Sequence, residues 1–253
     1  MSSSGNGGVP GTDWVLPGWS RPRTPAFSVG RYAGRVMQSC AAAFVLASGS
    51  AGRLRVLRDA GIDPEVMVSG VDETADDGLD TAALVAVLAE RKASTAARRR
   101  PDALVLGCDS LLDLDQMTFG KPGSAEQAAG MWRRLSGREA TLLTGHCLIE
   151  AATGHRERAV ASTVVRFGAP SDAEVAAYVA SGEPMAMAGA FSIEGLGAPF
   201  VEGIDGDPGN VMGLSLPLLR RMLANMGVAI TDLWRKAAAT SQDGRGPDRD
   251  AAA

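Results

Sequence analysis

The chain has 253 residues, 45% of them hydrophobic, and a formal net charge of −4. That length suits one large domain or two small ones, with enough apolar residues for a sizeable core. The negative balance argues against a cationic nucleic-acid surface, and no apolar run reaches the ~18–20 residues of a membrane span.

Residues 1–38 are rich in Gly, Ser and Pro without sustained periodicity, and read as a disordered extension in which Trp14 and Trp19 have no assigned contact. Arg31 and Arg35 precede the apolar run Cys40–Ala47, a pairing similar to a small signal sequence. The run is short and starts only at residue 40, so it reads instead as the first core strand, over 41–47. A basic helical pattern follows over 52–60, ended by Gly61. Glu65 to Val71 alternates as a second strand and runs into Asp72-Glu73-Thr74 and the acidic residues Asp76, Asp77 and Asp80. An Ala- and Leu-rich helix over 81–98 carries Glu90, Arg91 and Lys92, and Pro101 stops it.

Residues 103–107 form a buried strand ending at Cys108-Asp109-Ser110, with 111–114 as a continuation. A turn over Asp115–Gly120 delivers Lys121-Pro122, and Ser124 caps a helix over 125–135. Two antiparallel strands, 138–150 and 158–167, meet around Thr153-Gly154. Ser171, with Glu174 three residues on, opens a further helix that ends near Ser181-Gly182. A Gly-rich loop-and-strand region runs from Gly189 to Gly213, and Pro217 opens a final helix to about Met226. Residues 237–253 read as a disordered tail. Helices alternate with strands in the first half and paired strands follow, which predicts an α/β fold whose mixed twisted sheet has flanking helices, in a domain over 41–228.

Chemistry-bearing residues gather at the predicted strand ends, where ligands of α/β sheets collect. They are Ser48, Ser50 and Arg53; Asp72 and Glu73; Asp109 and Ser110; and Lys121, with Lys92 on the intervening helix. Ser48 to Arg53 supports two readings: a corner with Ser50 as helix cap, or an anion site at a helix N-terminus. Asp109 likewise suits a turn or a site, and Glu73 a solvated acidic cluster or a site. Together, cationic Arg53, Lys92 and Lys121 beside carboxylates Glu73 and Asp109 are the inventory for phosphate plus a divalent metal. Cys40, Cys108 and Cys147 form no CxxC or ligand pattern and read as structural, as in a reducing cytosol. His146 and His155 have no ligand spacing and receive no role. There is no GxxxxGK[ST], and no GxGxxG follows a strand in the required context.

The order of these blocks resembles the Maf family, the nucleoside triphosphate pyrophosphatases also called septum-formation inhibitors. Leu46-Ala-Ser-Gly-Ser-Ala-Gly-Arg53 resembles the family's L-A-S-x-S-P-R-R, Val71-Asp-Glu73 its V-D-E, and Leu106-Gly-Cys-Asp-Ser110 its G-A-D-[TS]. Gly120-Lys-Pro122 and Leu135-Ser-Gly137 are similar to its G-K-P and L-S-G. Gly182-Glu-Pro184, Ala188-Gly-Ala-Phe191 and Gly213-Leu-Ser-Leu-Pro217 resemble later blocks, so the likeness spans about 43–226. The resemblance implies a deep active-site cleft in a fold related to inosine-triphosphatase-like enzymes, often as a homodimer in the cytoplasm. It implies cleavage between the α and β phosphates of a nucleoside triphosphate, with a divalent cation, Mg²⁺ or Mn²⁺, and neither nucleic acid nor membrane as partner. Asp109 would be the proton acceptor, and Glu73 and Asp109 the metal-side carboxylates. Ser48, Ser50, Arg53, Lys92, Ser110, Lys121 and Glu194 would hold the substrate. A nucleotide-binding regulator of cell division is the alternative the resemblance leaves open.

Four motifs depart from the pattern. The family's Pro-Arg-Arg is here Ala51-Gly52-Arg53 and its Asp-Lys before A-G is Ala186-Met187, while the Asp-Thr of the dTTP/UTP-type members is Asp109-Ser110 and the Gln of their I-Q-G is Glu194. An ionised Glu only accepts hydrogen bonds, whereas Gln also donates. Glu194 therefore favours a base edge rich in donors, such as guanine, over thymine or uracil, and the 7-methyl-GTP-type members also carry Glu there.

Overall fold

The computed structural model describes residues 43–72 and 78–235. The expectations of a disordered N-terminal extension and tail, and the role given to Glu73, lie outside the described residues. Seven strands form one sheet in the order β2-β1-β3-β5-β6-β7, with β4 also on β3. Strands β1 (Phe44–Leu46), β2 (Glu65–Val66) and β3 (Leu104–Leu114) are parallel. Strands β4 (Met117–Phe119), β5 (Glu139–Glu150), β6 (His155–Phe167) and β7 (Val201–Asp205) add antiparallel pairs, so the sheet is mixed.

The helices are α1 (Ala51–Asp59), α2 (Thr81–Arg99), α3 (Ala125–Leu135), α4 (Asp172–Ala180), α5 (Pro208–Val211) and α6 (Leu216–Asn225). Their starts are local chemistry. Ser50, Asp80, Ser124, Ser171 and Ser215 each accept a backbone N–H of the first turn, and Ser171 with Glu174 completes a capping box. The Gly189–Gly213 region holds more order than its composition predicts: three short 3-10 turns, β7 and α5. The predicted second strand shrinks to Glu65–Val66 because its apolar alternation meets no covering layer among the described residues; Val66 and Val68 are exposed. The strand predicted over 103–107 does not end at Cys108-Asp109-Ser110: β3 runs on through the predicted continuation over 111–114, unbroken for 11 residues.

Side chains on β3 alternate between the two faces of the sheet. Leu104, Leu106 and Cys108 enter a core with Leu57 of α1 and Leu219 and Leu223 of α6. Farther along the same face, Leu112 and Leu114 enter a second core with Trp132 of α3 and Tyr178 of α4. Trp132 anchors it, donating from Nε1 to the Ala190 carbonyl at 2.8 Å and meeting Phe167, Tyr178 and Phe200 edge-on. On the opposite face Val105 packs under Ala89, Ala93 and Ala96 of α2. That helix lies close against the strands because two positions lack a Cβ. One built at Gly107 would stand 2.3 Å from the Ala89 carbonyl oxygen, and one at Gly145 would stand 2.1 Å from that of Val85.

Candidate active site

The site begins as an interruption in the sheet. β1 stops pairing with β3 at Leu106, and β4 starts pairing with it at Leu112. Residues 107–111 thus have no strand beside them on that edge among the described residues, an opening of about 20 Å at the usual strand rise. The loop after β1 carries Ser48 and Ser50 to one end. At the other end Gly120 packs near Leu111, the Leu111 Cδ2 lying 3.5 Å from where a Cβ at Gly120 would stand, and the exposed Lys121 follows. Asp109 and Ser110 are central. Their side chains leave opposite faces of β3, and a ligand lying along the open edge can meet both.

On the α2 face, Lys92 Nζ donates to Asp109 Oδ1 at 2.6 Å, both side chains being 8% exposed. The two glycines bring the helix close enough for this pair. Asp109 Oδ2 takes no hydrogen bond from the described residues. A buried carboxylate with one oxygen fixed by a cation and the other uncommitted suits proton transfer or a hard cation.

On the other face a polar layer separates the two apolar cores. Arg53, 8% exposed, donates from Nε to the Gly213 carbonyl at 2.9 Å, from Nη1 to Ser48 Oγ at 2.9 Å and from Nη2 to Ser110 Oγ at 2.9 Å. Ser110 Oγ lies 2.9 Å from Thr144 Oγ1, which also reaches the Asn210 carbonyl at 3.3 Å. Ser50 caps α1 by accepting the Arg53 N–H at 3.4 Å, so the corner is a capped one. Among the described residues the N–H groups of Ala51 and Gly52 stay unclaimed in that first turn, which keeps the positive end of the helix open to an anion.

Sequence reasoning left His146, Thr144 and Asn210 without roles, and all three are buried in this layer. His146 Nδ1 donates to the Thr144 carbonyl at 3.0 Å, and Nε2 accepts the Ser215 N–H at 3.0 Å. Burial pushes its pKa down to about 4, which keeps the ring neutral and able to accept. His146 thereby ties β5 to the start of α6. Its only sequence signal was a histidine inside a strand whose neighbouring residues, Cys147, Leu148 and Ile149, are apolar. Burial also pushes the Cys108 and Cys147 thiols up to about 12, in keeping with structural cysteines.

Glu194 stands apart from the Asp109 pair. Its carboxylate accepts from Arg55 on the exposed side of α1, the two side chains being about half exposed. Glu194 belongs to the 3-10 region packed on the second core and Arg55 to the helix over the first, so the pair spans the two. The turn that follows Glu194 is fixed by Glu183, which accepts from the N–H groups of Leu196 and Gly197 at 2.9 and 3.0 Å. At position 52, where two arginines run together in the family pattern, a Cβ would stand 3.0 Å from the Met212 carbonyl oxygen.

Among the described residues no three of His, Cys, Asp and Glu cluster to hold a metal, and no helix is long and apolar enough to cross a membrane. The family model described as Maf-like protein matches residues 43–226. A nucleoside triphosphate pyrophosphatase of Streptomyces coelicolor is 58% identical over 196 residues, covering 76% of this chain and 95% of that protein. One from Streptomyces avermitilis is 56% identical over 193 residues, 75% of this chain and 93% of its own length. One from Mycolicibacterium gilvum is 50% identical over 206 residues, 76% and 99% respectively.

Proposed function

The chain belongs to the Maf-like protein family, and we propose that the open edge of β3 is where it works as a nucleoside triphosphate pyrophosphatase. The enzyme is a hydrolase of acid anhydrides. It opens the bond between the α and β phosphates, and water supplies the oxygen that ends on one product, giving a nucleoside monophosphate and pyrophosphate. The observation that carries the placement is the buried Lys92–Asp109 pair at the centre of the edge, with Asp109 Oδ2 unclaimed among the described residues.

Asp109 Oδ2 takes the proton of the attacking water, and Lys92 holds the carboxylate in one orientation through Oδ1. The Ser48 and Ser50 loop, the first-turn N–H groups of α1, Ser110 and Lys121 surround the phosphates, and the buried Arg53 adds positive potential behind them. Lys121 is the exposed cation of the set and lies at the far end of the edge. Glu194 faces the base and selects for donor-rich edges. These residues would occupy the deep cleft that the resemblance implies.

A divalent cation, Mg²⁺ or Mn²⁺, fits the donor set in one respect. Such a cation takes one or two carboxylates and completes its shell with phosphate and water oxygens, and Asp109 offers one uncommitted carboxylate oxygen. Glu73 would be the second carboxylate. The cation would offset charge on the phosphates. A homodimer in the cytoplasm completes the reading.

The test is pyrophosphate release from a panel of standard and modified nucleoside triphosphates with Mg²⁺ or Mn²⁺. Stoichiometric monophosphate and pyrophosphate are expected, with guanine-type bases ahead of dTTP. Release of orthophosphate alone, or no turnover on any nucleotide, would contradict the proposal.

A further inference from the structure

Three of the five N–H donors of Arg53 are committed inside the protein, which gives it a task besides direct phosphate binding. A guanidinium carries five N–H donors and no acceptor. All three Arg53 nitrogens already donate within the protein: to Gly213 O, Ser48 Oγ and Ser110 Oγ, each at 2.9 Å. The group is nine-tenths buried and held from behind, since a Cβ at Gly213 would stand 3.0 Å from Arg53 Nε.

The consequence falls on the serines. A hydroxyl has two lone pairs and one proton. Ser48 Oγ accepts from Arg53 Nη1 at 2.9 Å and from the Ser50 N–H at 3.2 Å. Both donors are incapable of accepting, so both lone pairs are used and the Ser48 proton is left to donate. An anionic oxygen, which only accepts, is the complementary partner. Ser110 Oγ accepts from Arg53 Nη2 and shares a second contact with Thr144 Oγ1, whose proton has two acceptors within reach: Ser110 Oγ and the Asn210 carbonyl. The Asn210 carbonyl already accepts the Gly213 N–H at 2.9 Å. When Thr144 donates to Ser110, the Ser110 proton too is turned out to the open edge. Only hydroxyl rotations are involved, and no covalent bond changes.

We propose that Arg53 is a positioning residue: its fork makes Ser48, and with Thr144 also Ser110, outward hydroxyl donors to the substrate phosphates. This rests on the reading of Ser48 and Ser110 as phosphate contacts. The fork geometry matters more than the charge, because a lysine carries the charge on a single nitrogen and cannot serve three separated acceptors in the same way.

The experiment is kcat/KM for the best nucleotide of the panel, with thermal unfolding of each variant as a check on folding. The variants are R53K, S48A/S110A and S48A/S110A/R53K of the full chain. R53K is expected to lose about tenfold or more in kcat/KM despite keeping its charge. S48A/S110A is expected to lose at least as much, and adding R53K to it to cost less than about twofold, the non-additivity of residues acting through one another. If R53K keeps wild-type kcat/KM, or costs as much in the serine-free background as in the wild type, Arg53 acts on the substrate by itself and the inference is overturned. If S48A/S110A alone leaves kcat/KM unchanged, the phosphate-contact reading fails, and the inference with it. Should R53K fail to fold, R53Q replaces it in both comparisons, with the same outcomes deciding.

Discussion

Lys92 reaches Asp109 at 2.6 Å from a helix that can approach the sheet only because Gly107 and Gly145 carry no side chain. The geometry of the proposed catalytic pair and the backbone packing are here one arrangement. Placing a methyl group at Gly145 puts it 2.1 Å from the Val85 carbonyl oxygen, so the helix must lift. G145A is expected to lose about 1–3 kcal/mol of stability, the usual cost of overpacking, and to lose turnover as well, although Gly145 touches no substrate in this account. Urea unfolding and pyrophosphate release measure the two effects. Full activity in G145A would separate α2 placement from catalysis.

The buried pair has its own signature. Removing Lys92 takes from Asp109 the cation that holds it in a site with 8% exposed side chains, a change that costs roughly 3–5 kcal/mol. K92M is therefore expected to be strongly destabilised by urea unfolding at neutral pH, and K92M/D109N less so, because the second change removes the stranded charge. Both variants should be inactive. Equal destabilisation of K92M and the double variant would show that Asp109 has other compensation.

Much of this was legible from local chemistry. The Ser124 and Ser171 caps were readable because a hydroxyl and the N–H it accepts lie three residues apart, and α3 matches its predicted range. Asp109 and Lys121 drew attention because they fall on or just after predicted strand ends, and Lys92 because it lies on the helix between two of the predicted strands. The failures are non-local. Whether Val66 and Val68 face a core depends on what covers an edge, and nothing among the described residues buries them. Arg53 was read as a fork facing phosphate, and its inward direction depends on Gly213, which is 160 residues away in sequence. Gly107 was read as part of a motif; the physical demand comes from α2. The roles of Thr144 and Asn210 follow from the polar layer between two cores, which no local pattern encodes.

His146 makes stability pH-dependent in a definite direction. Its pKa is about 4 in the folded protein against 6.5 as the ordinary value, because burial penalises the charged ring. Above pH 6.5 both states are neutral and the full stability is present. As pH falls toward about 4 only the unfolded state takes the proton, so stability drops by about 3 kcal/mol from this group and no further below. Urea midpoints from pH 7 to pH 4 should show that loss, and H146Q should be less stable at pH 7 with a shallower acid dependence. An H146Q profile parallel to the wild type would assign the acid sensitivity elsewhere.

At the position proposed to select the base, Glu194 is paired with Arg55 across the two cores. The pair is exposed, so its contribution to stability is small, about 0–1 kcal/mol. Its effect should be on selectivity. E194Q supplies a donor that thymine and uracil can use, and is expected to raise the ratio of dTTP to guanine-nucleotide kcat/KM by about tenfold, the scale of one good hydrogen bond, with an unchanged melting temperature. An unchanged ratio would remove Glu194 from base recognition.

The central claim is that Asp109 accepts the proton of the attacking water at the open edge of β3. The most direct test is pyrophosphate release at saturating nucleotide by D109N, whose amide keeps the shape of the carboxylate but offers no comparable base. A positioned general base contributes about 10²–10⁴-fold, so turnover should fall by at least about 100-fold while nucleotide still binds. Turnover by D109N at the wild-type rate would contradict the account.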